Sequence, residues 1–145
     1  MRHSLLLLLS IALSGQAPLI TKKLPVISSG FLPVYPASAR IAGITGTVLV
    51  EVETDGVRVV KATIKSGPPM LANFVKENVE SWGFYPHTPV RFESRFKFTL
   101  TPSDCKTSDP FSPGVTTLKL PYSAELTRQR LIDCDPVATT SERER

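Results

Sequence analysis

The side chains that could carry out chemistry in this sequence are few and widely separated. Beyond the first three residues the only histidine is His87, which stands between Pro86 and Thr88 in a stretch without periodicity. A catalytic triad needs a nucleophile and a carboxylate beside the histidine, and no nucleophile-elbow glycine pattern surrounds any serine. We therefore interpret His87 as a surface loop residue, and a hydrolase that uses His87 is the alternative.

Metal ligands are equally scarce. One histidine and two distant cysteines, Cys105 and Cys134, are too few soft ligands for a zinc site. Glu51, Glu53 and Asp55 alternate along the chain, but they lack the spacing of a calcium-binding loop and fit the solvated face of a strand. No glycine-rich loop that could hold a phosphate precedes a helix. The sequence thus predicts no enzyme, no catalytic residue, no metal site and no cofactor.

The charge balance excludes a further class of function. The chain has 17 basic and 13 acidic residues, which give a net charge of +4. This excess is small, and no stripe of lysine and arginine with interleaved aromatic residues is present, so nucleic-acid binding is not expected. No small-molecule substrate is expected either.

The N-terminus has the three-part pattern of a secretory signal peptide. Arg2 supplies positive charge, Leu5 to Leu13 is apolar, and small residues follow. A membrane-spanning helix needs about 20 apolar residues, and Gly15 and Pro18 interrupt this run too early. We predict that residues 1–17 direct export and are cleaved before Pro18, and the alternative is a retained inner-membrane anchor.

The rest of the chain is long enough for one domain with additions. Residues 18–33 are expected to be a linker, residues 34–100 a compact domain, residues 101–136 an extension and residues 137–145 a disordered tail. In an exported protein, Cys105 and Cys134 of the extension are more typical of a disulfide than of two free thiols.

Periodicity predicts an α+β fold. Pro36 and Gly43 bound a short helix over 37–42, and apolar residues at helical spacing predict a long helix from Leu71 to Trp82. Alternation of apolar and polar residues predicts strands over 46–54, 57–65 and 90–100. We therefore expect an antiparallel sheet of three strands packed against one long and one short helix.

The extension adds to this sheet in one interpretation. Val115 to Leu120 is a further candidate strand, whereas Leu126 to Asp133 fits a strand or a helix equally well. With these segments the antiparallel sheet would have four or five strands.

The first two strands meet at Asp55-Gly56, a strong hairpin signal. A three-residue loop, 54–56, would pair Val50 with Val60 and Val48 with Ala62, which gathers the valines on one face. We therefore expect Gly56 in the left-handed conformation beside a bulge.

Several short motifs occur in a fixed order between Pro33 and Leu100. They are Tyr35-Pro36, Ala39-Arg40, Gly43-Ile44-Thr45-Gly46-Thr47-Val48, Asp55-Gly56, Ser66-Gly67 and Trp82-Gly83-Phe84-Tyr85-Pro86. The ordered set resembles the C-terminal domain of TonB. This resemblance implies a compact antiparallel sheet with helices on one face, a location in the bacterial periplasm and a protein partner such as a TonB-dependent outer-membrane receptor.

The resemblance also implies where a partner binds. TonB domains hold a short receptor peptide by adding it as a strand beside the last strand of the sheet, which here is Arg91 to Leu100. The residues expected on this edge are Arg91, Phe92, Glu93, Arg95, Lys97 and Thr99. The basic residues among them suit an acidic peptide, but charged residues are also typical of an edge that is protected against unwanted pairing.

Two features depart from the TonB pattern. Residues 18–33 can span at most about 50 to 60 Å, which is shorter than the proline-rich spacer of an energy transducer. The extension is also additional, and Val115 to Leu120 could fold back onto the edge of Arg91 to Leu100. We expect a stand-alone periplasmic module, as a monomer or a strand-exchanged dimer. The alternative is a complete energy transducer anchored by an uncleaved N-terminal segment.

The disulfide prediction can be tested by mass. A bridge between Cys105 and Cys134 removes two hydrogens and stabilises the fold by about 3 to 4 kcal/mol in the chain-entropy model. Mass spectrometry of the exported protein under non-reducing conditions should show this loss. A count of two free thiols per chain in the denatured protein would show that the bridge is absent.

Overall fold

The computed structural model describes residues 24–104 and 113–133. Two helices lie in these ranges, α1 (Ala37–Ala42) and α2 (Pro69–Glu80). The strands are β1 (Ile27–Ser29), β2 (Gly46–Thr54), β3 (Val59–Ser66), β4 (Gly83–Phe84), β5 (Val90–Thr101), β6 (Val115–Lys119) and β7 (Ser123–Gln129). The predicted signal peptide, the predicted disulfide between Cys105 and Cys134 and the predicted tail lie outside the described residues.

The main sheet has five strands in the order β3-β2-β5-β7-β6, and β1 with β4 forms a separate two-stranded sheet. β2 is antiparallel to β3 and to β5, as predicted. β7, however, runs parallel to β5, and β6 pairs antiparallel with β7. The α+β class is therefore confirmed. The expectation of a wholly antiparallel sheet is wrong, because the second strand of the extension, β7, is the one that pairs with β5.

β7 and β6 differ in burial, as their places in the sheet require. Ala124 and Leu126 of β7 are each 1% exposed, whereas all five residues of β6 are exposed. In the inner position, Ala124 and Leu126 share the core with Phe96 and Phe98. The predicted strand Val115 to Leu120 exists, but it is one strand further from β5 than expected.

α1 has the predicted bounds, α2 lies two residues earlier than predicted at each end, and both helices cover one face of the sheet. α1 ends at Gly43, which has a left-handed φ of 70°. The N–H of Gly43 donates to the carbonyls of Ala39 and Arg40. α2 begins at Pro69, because proline is favoured in the first turn of a helix. Its buried residues are Leu71, Ala72, Val75 and Val79. Both helices therefore contribute to a single hydrophobic core on one side of the sheet.

The aromatic motif residues lie in this core. Tyr35 packs edge-on against Phe98 with ring centroids 5.1 Å apart, and its hydroxyl donates a hydrogen bond to the carbonyl of Ile44. Burial raises the pKa of Tyr35, and the neighbouring Arg40 partly offsets this rise. Trp82 is 2% exposed and packs against Phe84 and Phe96.

The hairpin between β2 and β3 has a different register from the predicted one, and Val60, expected on the face of the valines, is exposed. Val50 pairs with Ile64 and Val52 with Ala62, so the predicted pairs of Val50 with Val60 and Val48 with Ala62 are wrong. The loop is longer than three residues because the Asp55 carboxylate accepts the N–H groups of Val57 and Arg58. Gly56 has a positive φ of 100°, and an irregularity in pairing lies at Val60, between Lys61 and Val59.

The segment expected to be a linker contains structure. Ile27 of β1 pairs with Phe84 of β4 and packs on the core. Phe31 donates its N–H to the Ser81 hydroxyl at 3.0 Å and accepts a hydrogen bond from the Asn78 side chain at 2.9 Å. Residues 24–33 therefore lie across the end of α2 as part of the fold.

The Asp55 turn predicts a pH dependence of stability. Hydrogen bonds from the backbone N–H groups of Arg58 and Val57 lower the pKa of Asp55 below its ordinary value of 3.8. Its contribution to stability is therefore complete above about pH 4 and is lost as the pH falls through the lowered pKa. Thermal unfolding of Asp55→Ala and the parent should differ at pH 5 and converge near pH 2. Glu77→Gln, at an exposed position on α2, is the control, and a difference that does not shrink with acid would contradict the prediction.

Candidate functional site

β5 is the strand on which the sequence places the partner-binding residues. Its side chains alternate between the core, which takes Ser94, Phe96 and Phe98, and the opposite, solvent-facing side of the sheet. The exposed residues on the solvent-facing side are Arg91, Glu93, Arg95, Lys97 and Thr99. Phe92 lies on the core side and is partly buried.

The C-terminal half of this strand is already paired. β7 runs beside β5 from Arg95, opposite Ser123, to Thr101, opposite Gln129. The N–H of Arg95 donates to the carbonyl of Tyr122 at 2.9 Å, and the carbonyl of Thr101 accepts from Arg130 at 3.1 Å. A partner strand can pair with Arg95, Lys97 and Thr99 only if β7 leaves the sheet.

Further contacts besides the strand pairing hold β7 and the turn before it. Leu126 and Ala124 are buried in the core, and the buried Ser94 hydroxyl donates a hydrogen bond to the carbonyl of Pro121. At the other end, Arg40 of α1 donates from Nε to the carbonyl of Gln129 at 2.9 Å. These contacts join the extension to the strand, the helix and the core of the 34–100 segment.

The N-terminal half of β5 has no strand on this side among the described residues. Backbone groups of alternate residues point to the same side of a strand. Because the N–H of Arg95 points towards β7, the N–H and C=O groups of Arg91 and Glu93 point to the same side, where β7 does not reach. We call Arg91–Glu93 the open section of β5.

A cavity of about 200 Å³ lies beside the open section. Its wall combines Phe92 with Tyr122, whose rings pack edge-on at 5.5 Å. Phe92 also packs edge-on against Phe84 at 6.3 Å, which fixes its ring from behind. The lining residues are Leu24, Pro25, Thr88, Val90, Arg91, Phe92 and Tyr122. The cavity is therefore mostly apolar and has rigid aromatic walls.

Charges of both signs surround the solvent-facing side of β5. Arg91 lies 3.1 Å from the Glu53 carboxylate, which Lys61 also approaches at 3.9 Å. Such exposed pairs contribute roughly 0 to 1 kcal/mol. Arg91 therefore already has a carboxylate partner within the sheet.

His87 lies in the loop before β5. Its Nδ1 lies 2.7 Å from the carbonyl of Thr88, and its ring packs edge-on against Phe84 at 5.4 Å. Within residues 24–104 and 113–133, no group of three or more histidine, cysteine, aspartate or glutamate residues is placed to hold a metal ion. In the same part of the chain, neither helix is long and apolar enough to cross a membrane.

The fold and the edge define a class of protein. A small α+β domain whose sheet has helices on one face, and a strand that is partly without a neighbour among the described residues, is suited to binding an extended polypeptide. Residues 32–100 match the family model described as Gram-negative bacterial TonB protein C-terminal, and this segment belongs to the TonB C-terminal domain family. The family is a non-enzymatic protein-interaction domain of envelope-associated proteins in Gram-negative bacteria.

The match covers just under half of the 145-residue chain. No curated protein matches the chain, and no solved structure matches it. The extension with β6 and β7, and the first described residues from Leu24, lie outside the matched segment.

The sequence did not identify every residue at this site. Tyr122, Leu24 and Pro25 line the cavity although no motif includes them, because they reach β5 only through the folding of segments outside the domain. One signal was present, since the alternating Ala124, Leu126 and Arg128 fit a strand with one buried face.

Removal of the Leu126 side chain should loosen β7. Leu126→Ala deletes a fully buried side chain from the core, and the expected loss in the free energy of unfolding is about 2 to 5 kcal/mol. Hydrogen exchange of the Arg95 amide, which donates towards the β7 side, should become faster in the same variant. Chemical denaturation and exchange by NMR provide the two measurements.

Leu118→Ala is the matched control, because Leu118 on β6 is 38% exposed. A change of less than about 1 kcal/mol is expected there, with slow exchange retained at Arg95. Equal effects of the two substitutions would show that β7 is not held by Leu126.

Proposed function

We propose that this protein is a periplasmic interaction module that binds an extended segment of another protein by strand addition at the open section of β5. The observation that carries the proposal is the end of the β5–β7 pairing at Arg95, which leaves the outward backbone groups of Arg91 and Glu93 without a strand beside them among the described residues. Membership of the TonB C-terminal domain family supports a protein as the partner.

The open section is preferred over the whole edge on energetic grounds. A partner that used Arg95, Lys97 and Thr99 would have to expose Leu126 and Ala124 and break the pairing from Arg95 to Thr101. Exposing one large apolar side chain alone costs about 1.5 to 3 kcal/mol. The backbone hydrogen bonds formed by the new strand would be of the same kind as those lost with β7, so they would not offset this cost. Binding beside Arg91–Glu93 requires no such loss.

The size of the open section sets the expected affinity. The N–H and C=O groups of Arg91 and Glu93 offer four hydrogen bonds, each with a net contribution of about 0.5 to 1.5 kcal/mol. Their sum of roughly 2 to 6 kcal/mol must also offset the entropy lost on association. Backbone bonds alone therefore correspond to weak and reversible binding, and side-chain contacts must supply the rest.

The expected partner belongs to the cell envelope. The family is envelope-associated in Gram-negative bacteria, and the N-terminal pattern of residues 1–17 predicts export. An outer-membrane transport system, with a TonB-dependent receptor as the peptide donor, fits both observations. Arg95 and Lys97 are exposed on the solvent-facing side and favour acidic residues in the peptide where these project to that side.

A proline substitution can test strand addition directly. The N–H of Glu93 points away from β2, so Glu93→Pro removes a donor of the open section and leaves the β2–β5 hydrogen bonds in place. Periplasmic and outer-membrane proteins should be captured by the parent chain, and the proteins bound through β5 should be lost with Glu93→Pro. Quantitative mass spectrometry of the captured proteins provides the measurement.

Glu93→Ala is the matched control, because it removes the same carboxylate but keeps the N–H. Capture should persist with Glu93→Ala if the backbone binds the partner. Circular dichroism and thermal unfolding of both variants must match the parent to exclude a folding defect. Proteins that bind folded Glu93→Pro as well as the parent would contradict strand addition at the open section.

A further inference from the structure

The cavity beside the open section has the size of a side-chain pocket and not of a small-molecule site. Its volume of about 200 Å³ lies below the range of roughly 300 to 1,000 Å³ that is usual for small-molecule pockets. Phe92, Tyr122, Val90 and Pro25 give it apolar walls. An apolar group is favoured there, because a charged group would lose its hydration without a compensating partner.

The cavity is built from parts that the family domain does not contain. Tyr122 comes from the turn before β7, and Leu24 and Pro25 come from the segment before β1. All three residues lie outside the matched segment 32–100, whereas Phe92 and Val90 lie within it. The two additions to the domain therefore meet at the open section and enclose the space above Phe92.

We propose that this cavity selects the partner by accepting one aliphatic side chain of the strand that adds to the open section. This inference rests on the proposed function. The side chains of an added strand alternate between the two faces of the sheet. A residue beside Phe92 points its side chain into the cavity, while its two neighbours lie on the face that carries Arg91 and Glu93.

The surroundings restrict the length and the pattern of the bound segment. Tyr122 lies next to Arg95, where its carbonyl accepts the Arg95 N–H, and closes one end of the space beside β5. The bound segment is therefore a short extended stretch with polar, aliphatic and polar residues in sequence. Backbone bonds to Arg91 and Glu93 position the stretch, and the aliphatic side chain in the cavity provides specificity.

Blocked peptides can test this selection with the exported protein as the cell processes it. The probes are acetylated and amidated Thr-Thr-Xaa-Thr-Thr peptides in which Xaa is leucine, alanine or lysine. Titrations are followed by the NMR shifts of the backbone amides of isotopically labelled protein. The leucine peptide should shift the amides of Arg91, Glu93 and Tyr122 and bind about tenfold or more tightly than the alanine peptide, because burial of its longer side chain is more favourable. The lysine peptide should bind no better than the alanine peptide.

A cavity-filling substitution distinguishes side-chain binding in the cavity from backbone pairing with Arg91 and Glu93. Thr88 is exposed and lines the cavity, so Thr88→Phe should fill the space without a change in the core. The preference for leucine over alanine should fall to less than about twofold in Thr88→Phe, while the alanine peptide still shifts the amides of Arg91 and Glu93. Thr117→Phe, on exposed β6, is the matched control and should keep the preference.

Each contrary outcome has a distinct meaning. Equal affinities of the leucine and alanine peptides, with shifts at Arg91 and Glu93, would overturn the pocket and leave strand addition intact. A leucine preference unchanged in Thr88→Phe would also overturn the pocket. No shift at Arg91 or Glu93 with any peptide would overturn both proposals. Nuclear Overhauser contacts from residues 18–23 to Phe92 and Tyr122 in the free protein would show that the chain's own N-terminal segment fills the cavity.

Discussion

The burial of Leu126 and Ala124 is the interaction on which the arrangement of the sheet depends. These side chains bring β7 beside β5 and extend the core over Phe96 and Phe98. β7 then supplies the partner for the C-terminal half of β5, and β6 follows it outwards. The pairing stops at Arg95 because the chain turns at Tyr122, where the hydroxyl of Ser94 binds the carbonyl of Pro121. Core packing thus determines which backbone groups of β5 remain available.

The two ends of the described chain converge on that same strand. Leu24 and Pro25 approach the start of β5 from one direction, and Tyr122 approaches it from the other. A row of aromatic rings, from Trp82 through Phe84 and Phe92 to Tyr122, connects the core to this region. The ring of Phe92 is therefore packed between Phe84 and Tyr122.

Local sequence patterns were sufficient for most of the family domain. The bounds of α1 and β2 were predicted because Gly43 ends the helix and the alternation from Gly46 to Thr54 is regular. The hairpin register was not predicted. The alternation of apolar and polar residues indicates which face of a strand is buried, but the hydrogen bonds of Asp55 determine the length of the loop and so the register. The segment Leu126 to Asp133 was ambiguous because it begins inside β7, after Ala124, and the parallel pairing of β7 depends on burial against β5.

The extension also changes what kind of edge the sheet presents to other molecules. Without β6 and β7, the last strand would be β5, with 12 residues and a complete row of free backbone groups. With them, the last strand is β6, which has 5 residues and ends at Lys119. Long bare edges promote edge-to-edge aggregation, whereas short edges that carry lysine resist it. The built-in hairpin therefore replaces a long bare edge with a short edge that ends in lysine.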